Sequence, residues 1–563
     1  MIIERRSMII MTYKDLANLI FPNITKTMED YEREYPARNL KVGAMVTRFA
    51  PSPTGFVHIG NFQAALIDFV MARKSGGVFY LRNEDTDKSR EVEKAVEIIM
   101  QVLRYYGMEP DEYEYEGKTV GAYGPYIQSE RKEIYHAGIK HLIEIGRAYP
   151  CFCEKEHLDQ MRENQEKNKM RTGYYGRYAT CRNMSVEEAI EKIKAGAPYV
   201  IRFRSNGNFD DRFWFNDLVR GKLYLNQNDQ DIVIMKSDNL LPTYHFAHII
   251  DDHFMHTTHV VRGEEWLPSV AVHIELFEAM GWTPPKYIHT PLILKQDGEI
   301  KRKISKRKDP EALMSYYMEK GYPVEAVIEA LMTIINSNYE EWHTANPDKT
   351  FLEFDFQAKK MSSSGGALFD LEKLNNISKN IISKMDKETL YQKAYEWSKT
   401  YSEELKNLIE KDPEYFKQII NIERVQKKPR KDYETYASIP NEIWYMYDEL
   451  FAQNHPYDFQ KIQDKQEIAT ILRTYIEEYY DDQDDKDTWF SKIKELTTKL
   501  GYCADMKAYK ENPDAYKGSV ADISTVIRVA LTTRSMTPDL YELLRLLGKE
   551  RIQKRFEKFY NEI

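Results

Sequence analysis

Two short segments carry side chains suited to a polyphosphate. The first is His58-Ile59-Gly60-Asn61, set behind the run Arg48-Phe-Ala-Pro-Ser52-Pro-Thr-Gly55. An imidazole at a strand-to-helix junction stands beside free backbone N–H groups and the positive end of a helix dipole, both of which favour phosphate. Gly60 leaves room for a nucleotide to lie against the backbone. The second segment is Lys303-Ile-Ser305-Lys306-Arg307. Two lysines three apart reach β- and γ-phosphates as mobile point charges. Joined, the two segments would stabilise charge building at an α-phosphorus without a covalent intermediate on the protein. Taken singly, the first also reads as a surface turn and the second as a basic loop.

The elements around the first segment can be placed. Residues 44–50 suit a short buried strand ending at Pro51. Pro51 and Pro53 require a loop. From Asn61 to Arg73 apolar residues recur at helical spacing, and Gly76-Gly77 stops that helix. Val78–Leu81 reads as the next strand. Strand, loop, helix, strand is a βαβ unit and implies a parallel sheet. A helical segment at 186–194 is followed from Tyr199 to Lys236 by alternating, turn-rich sequence of antiparallel character. Beyond residue 310 the pattern turns helical and stays so. Ahead of the strand, Asp15–Ile20 shows weak helical spacing and 34–41 reads as a polar loop.

The long N-terminal string resembles the glutamyl-tRNA synthetase family, which shares R-F-A-P-S-P-T-G-x-x-H-x-G. The resemblance continues at Gly76–Arg90, Thr243–His253, Val260–Trp266, the lysine segment, Gly365–Ser378 and Ile527–Phe559. It implies a class I synthetase: an α/β protein with a Rossmann-type parallel-sheet catalytic domain, an α+β insertion and an all-α C-terminal anticodon-binding region. The implied division is an extension at 1–43, catalytic halves at 44–140 and 237–300, an acceptor-stem insertion at 141–236, a lysine loop with stem contacts at 301–390, and anticodon helices at 391–563.

The same resemblance implies that L-glutamate is activated with ATP and Mg²⁺ and joined to tRNA(Glu). His58, Lys303 and Lys306 would be catalytic. Gly60, Asn61, Trp266 and Ser305 would join His58 and Lys306 on ATP, although the family more often has His where Asn61 stands. Arg48 and Ser52 would hold a carboxylate, Glu84 would accept from the ammonium, and Tyr244 and Arg262 would complete the pocket. Glutamine nearly matches glutamate in shape, so a buried arginine pair must separate them by charge. Glu84 and Asp85 also read as strand caps or partners of Arg82 or Lys88, and Trp266 reads equally as core.

Cys151-Phe-Cys153 and the distant Cys181 supply three corners of a tetrahedral zinc site, or three reduced thiols in a turn. Tyr175 and Tyr178 are the candidates for a fourth corner. Four cysteines in all argue for a reducing, cytoplasmic setting. No apolar run is long enough for a membrane span. A net charge of −9 excludes a uniformly basic surface, so RNA contact falls to local patches. Residues 301–308 hold six basic side chains and 424–431 hold five, whereas 477–487 hold seven acids and read as solvated surface. A monomer is expected. The choice between tRNA(Glu) alone and tRNA(Glu) with tRNA(Gln) stays open.

Overall fold

A computed structural model describes residues 11–53, 55–87, 92, 94–361, 366–453 and 456–562. Thr54, Lys88 and Gly365, together with the first ten residues of the extension, lie outside them. The chain forms two compact units: one runs up to Tyr316 and adds Ile328–Asp370, the other takes Tyr317–Val327 and Leu371 onward.

The first unit is built on the expected βαβ unit. β1 (Val46–Phe49) is buried along its whole length. The proline loop leads into α1 (Ile59–Ser75), which ends at Gly76 with φ +66°. Gly77 is required for a different reason: a Cβ there would lie 1.9 Å from the Met45 carbonyl oxygen. β2 (Val78–Leu81) then pairs in parallel with β1, Val46 opposite Val78 and Phe49 opposite Leu81.

On the other side of β1, the Thr258 N–H donates to the Val46 carbonyl at 2.9 Å. This brings in β5 (His259–Gly263), which lies parallel to β6 (Lys286–Thr290). The edge beyond β6 comes from the middle of the chain. β3 (Arg212–Asp217) meets β6 at Asp217 and Tyr287, and forms an antiparallel hairpin with β4 (Gly221–Asn226). One hairpin from residues 141–236 is therefore part of the sheet that holds β5 and β6. The remaining insertion strands, Ala148–Cys151, Val200–Phe203 and Val233–Met235, form a separate antiparallel sheet. Helices α2 (Tyr244–Phe254) and α3 (Val270–Ala279) flank β5 in sequence.

The extension contributes to this core. Helix Tyr13–Ile20 confirms the weak periodicity, and a second helix, Met28–Glu34, adds Tyr31. Leu16, Phe21, Tyr31 and Tyr35 are buried in the same cluster as Ile139, Leu142 and Phe254. Each such side chain contributes about 1.5–3 kcal/mol of burial energy.

The described residues beyond 310 are mostly helical, with a short strand among them. β9 (Ala367–Leu368) pairs in parallel with β7 (Ile293–Asp297), which also forms a hairpin with β8 (Ile300–Lys303). In the second unit, helices such as Lys387–Tyr401 and Val520–Thr532 enclose Trp397, Leu405, Ile493 and Ile527. The basic stretch 424–431 divides there. Arg424 is half-buried and donates to the carbonyls of Ile420, Ile382 and Met385 at 2.8, 2.6 and 3.0 Å. Arg430 pairs with Asp432. Lys427, Lys428 and Lys431 are exposed.

Candidate active site

The residues singled out in the sequence converge. Arg48, Ser52, His58, Gly60, Asn61, Glu84, Tyr244, Arg262, Trp266 and Lys303 all line one cavity of about 540 Å³ in the first unit. It opens beyond the carboxyl ends of the parallel strands, where ligands bind in open α/β sheets. Ser305 and Lys306 are not among its lining residues but stand close by.

His58 is the N-cap of α1. Its Nδ1 accepts from the Gly60 N–H at 3.1 Å. The ring proton therefore sits on Nε2, and the ring also has the Ile304 backbone as a hydrogen-bond partner. Burial lowers its pKa, and the charges of Lys306 and Lys303 lower it further. A Cβ on Gly60 would meet only the His58 ring, at 3.4 Å.

The lysine segment is anchored to this junction. Met314 N–H donates to the Val57 carbonyl at 3.0 Å. Asp309, almost wholly buried, takes two hydrogen bonds from Arg302 (2.7 and 2.8 Å) and one from the Ser305 N–H (2.9 Å). These bonds, Arg302 first, hold the Asp309 carboxyl well below the usual range. Arg302 and the Ser305 backbone thus fix the loop, while Lys306 stays exposed with its Nζ 5.3 Å from the Phe56 ring centre.

Behind Arg48 and Glu84 lies a charge network that sequence reasoning did not find. Asp252 Oδ1 is 2.7 Å from Arg82 Nη1 and 3.4 Å from Arg48 Nε. Arg82, fully buried, also reaches Glu84 at 3.1 Å and Asp251 at 3.6 Å. Glu84 therefore does pair with Arg82. It lies three residues past the end of β2 rather than ending the strand, because the chain leaves the sheet at Leu81. Burial raises its pKa, and Arg82 and Arg48 oppose that rise. Asp85 instead accepts from the Ser129 N–H at 2.8 Å. Tyr244 packs on Trp266 with ring centres 4.3 Å apart. Trp266 is half-buried at the cavity wall, so it is not a core residue.

The three insertion cysteines also meet. Their sulfurs lie within 4.8 Å of one another. A tetrahedral zinc with Zn–S bonds of about 2.3 Å places its sulfurs roughly 3.8 Å apart, so the set fits. Their shared hydrogen bonds hold the Cys151 thiol far below its ordinary range and push Cys181 far above it, so without a metal one thiolate is held by its protonated neighbours. The tyrosine hydroxyl beside the set belongs to neither expected tyrosine, and the Thr180 hydroxyl lies 3.2 Å from Cys153 Sγ. Tyr174 places its hydroxyl 3.5 Å from Cys151 Sγ and 3.3 Å from Cys153 Sγ. Tyr175 turns away to the Arg171 carbonyl and Tyr178 to Met170.

Comparison with known proteins decides the kinship. Residues 44–376 match the family model for the catalytic domain of class I tRNA synthetases (E and Q). The chain belongs to the class I glutamyl- and glutaminyl-tRNA synthetase family. Residues 389–560 of this synthetase match an anticodon binding domain. It is 48% identical to a glutamate--tRNA ligase of Clostridium perfringens, over 98% of this chain and all of that one. It is also 48% identical to one from Acetivibrio thermocellus, over 97% and 100%. A crystal structure of the glutamate tRNA ligase from Elizabethkingia meningosepticum, in complex with its amino acid, superposes with a TM-score of 0.73 at 28% identity, covering 92% of this chain and 99% of that one. Among the described residues no helix is long and apolar enough to cross a membrane.

Proposed function

We propose that the chain activates L-glutamate with ATP and Mg²⁺ and transfers it to the terminal adenosine of tRNA(Glu). The observation that carries this reading is the meeting of His58 and Lys303 with Arg48, Glu84 and Arg262 around one cavity. A carboxylate oxygen of glutamate attacks the α-phosphorus and pyrophosphate leaves. His58 Nε2–H, Lys303 and Lys306 stabilise the charge that builds on the phosphates. Gly60, Asn61, Ser305 and Trp266 border the nucleotide. Arg48 and Arg262 take substrate carboxylates, Ser52 and Tyr244 add hydrogen bonds, and Glu84 accepts from the ammonium. The adenosine 2′-hydroxyl then attacks the carbonyl and AMP leaves.

The test is glutamate-dependent ATP–pyrophosphate exchange with and without tRNA. Exchange with glutamate and tRNA is expected. Its absence, or equal exchange with glutamine, overturns the reading.

Finer readings follow. Cys151, Cys153 and Cys181 hold a structural zinc, with Tyr174 at the fourth corner; metal analysis finding no stoichiometric zinc ends that idea. The insertion at 141–236 takes the acceptor end, 301–390 contacts the stem, and 391–563 reads the anticodon. The enzyme works in the cytoplasm as a monomer, which light scattering of the purified chain tests. Charging assays on purified tRNA(Glu) and tRNA(Gln) settle whether the second is also a substrate.

A further inference from the structure

Arg262 is a buried cation whose partners are uncharged. Its Nε donates to His289 Nε2 at 3.0 Å, and its Nη1 meets His273 Nδ1 at 3.1 Å. Its Nη2 reaches the Trp266 carbonyl at 3.4 Å, and its guanidinium lies 4.8 Å from the Tyr287 ring centre. Nearby carboxylates are engaged elsewhere: Asp252 with Arg48 and Arg82, Glu84 with Arg82, Glu264 with Arg220. Among the described residues none forms an ion pair with Arg262. Arg82, by contrast, is surrounded by three carboxylates.

Each imidazole must present a bare nitrogen to the guanidinium. For His289 the reason is Asp217. Its Oδ2 lies 2.7 Å from His289 Nδ1, which keeps the ring proton there and leaves Nε2 free to accept. The other oxygen of Asp217 accepts from the N–H groups of Val219 and Arg220 at 2.9 and 2.8 Å, so the hairpin turn holds the carboxylate in place. His273 accepts at Nδ1 and passes its own proton side to His245, Nε2 to Nδ1 at 2.9 Å. Burial first lowers the pKa of both rings, joined at His273 by His248 and Arg262 and at His289 by Arg262 against the opposing Asp217 hydrogen bond. A protonated ring at either place would turn a donor toward a donor.

We propose that His273 and His289 are positioning residues that hold the Arg262 guanidinium through uncharged acceptors, keeping its full charge for a carboxylate of the bound amino acid. An aspartate or glutamate in their place would fix the guanidinium equally well but neutralise it. The proposal rests on the reading of Arg262 as a carboxylate ligand.

An isosteric pair separates charge from shape. His273→Asn offers a neutral oxygen near the place of Nδ1; His273→Asp offers the same atoms with a negative charge. In tRNA-supported pyrophosphate exchange with the full chain, His273→Asp is expected to raise the glutamate KM ~10- to 100-fold above that of His273→Asn, with the ATP KM equal in the two. Equal glutamate KM values in the two variants overturn the proposal. His289→Gln against His289→Glu repeats the comparison at Nε2, and decides it should the first pair fail to fold by circular dichroism. Arg262→Met separates the two layers: an unchanged glutamate KM there removes the role of Arg262 itself, and the proposal with it.

Discussion

Replacing Asp252 by Asn keeps the side chain's shape and removes one charge from beside Arg48 and Arg82. Its Oδ1 lies 3.4 Å from Arg48 Nε and 2.7 Å from Arg82 Nη1, with all three side chains buried. Arg82 keeps Glu84 and Asp251 as counter-charges, whereas Asp252 makes the ion pair to Arg48. At an effective dielectric of ~20, a 3.4 Å pair is worth about 5 kcal/mol before solvation is counted. Removing one partner of a buried pair costs roughly 3–5 kcal/mol net, and the acceptor that Asn retains places the loss near ~3 kcal/mol. Scanning calorimetry of the full chain should show one transition lowered by about 5 °C or more. The acid dependence gives a second check. Burial opposes the Asp252 charge, but Arg82, Arg48 and His248 outweigh it and hold the carboxyl well below its ordinary pKa. A depressed folded-state pKa contributes stability above the unfolded value of ~3.9 and loses it as pH falls toward the folded one. The gap between wild type and Asp252→Asn should therefore be full at neutral pH and close in acid below pH ~4. The glutamate KM should rise as Arg48 loses its anchor. Equal melting at pH 7, or a gap that persists undiminished in acid, would refute the role given to this carboxylate.

Other outcomes are open to direct measurement. Elemental analysis should find ~1 zinc per wild-type chain and little in Cys153→Ser, with Tyr174→Phe weakening retention under chelator; full loading of Cys153→Ser contradicts the site. Joint replacement of Lys427, Lys428 and Lys431 by Ala should weaken tRNA binding and flatten its salt dependence by ~0.7–0.9 for each phosphate that is no longer neutralised. Arg424→Ala should leave that slope alone and lower the second unit's stability by ~1–3 kcal/mol, since it strands buried carbonyls.

The catalytic βαβ unit was legible because its boundaries are marked by residues with strong local meaning: Pro51 and Pro53 in the loop, Gly76-Gly77 after the helix. The cavity-lining residues were legible through a resemblance carried by several separate stretches, from Arg48 to Gly60, Gly76 to Arg90, Thr243 to His253, Val260 to Trp266 and the lysine segment. Their supports were not. Asp217, Asp252, His273 and His289 look like ordinary polar residues in sequence, and they acquire meaning only when Asp217 meets His289, 72 positions away. Helix Met28–Glu34 buries only Met28 and Tyr31, too few for a periodic signal, although its capping box at Thr27 and Asp30 was there to be read. Ala367–Leu368 is too short for alternation to show. Spacing could not tell which tyrosine of Gly173–Thr180 turns toward the cysteines, because loop geometry rather than periodicity settles that. The basic stretch 424–431 was legible as charge but not as division of labour, since Arg424 spends its donors on backbone carbonyls.

A double-mutant cycle on pyrophosphate exchange tests the shared phosphate site most directly. His58→Asn keeps a residue able to cap α1 and withdraws the Nε2 donor; Lys306→Ala withdraws the mobile charge. Each alone should slow exchange by ~10²–10³-fold. If both act on one triphosphate, the double variant should fall short of the product of the two losses by ~0.5 kcal/mol or more. Strict multiplication of the two effects, or full activity in either single variant, would contradict a common site.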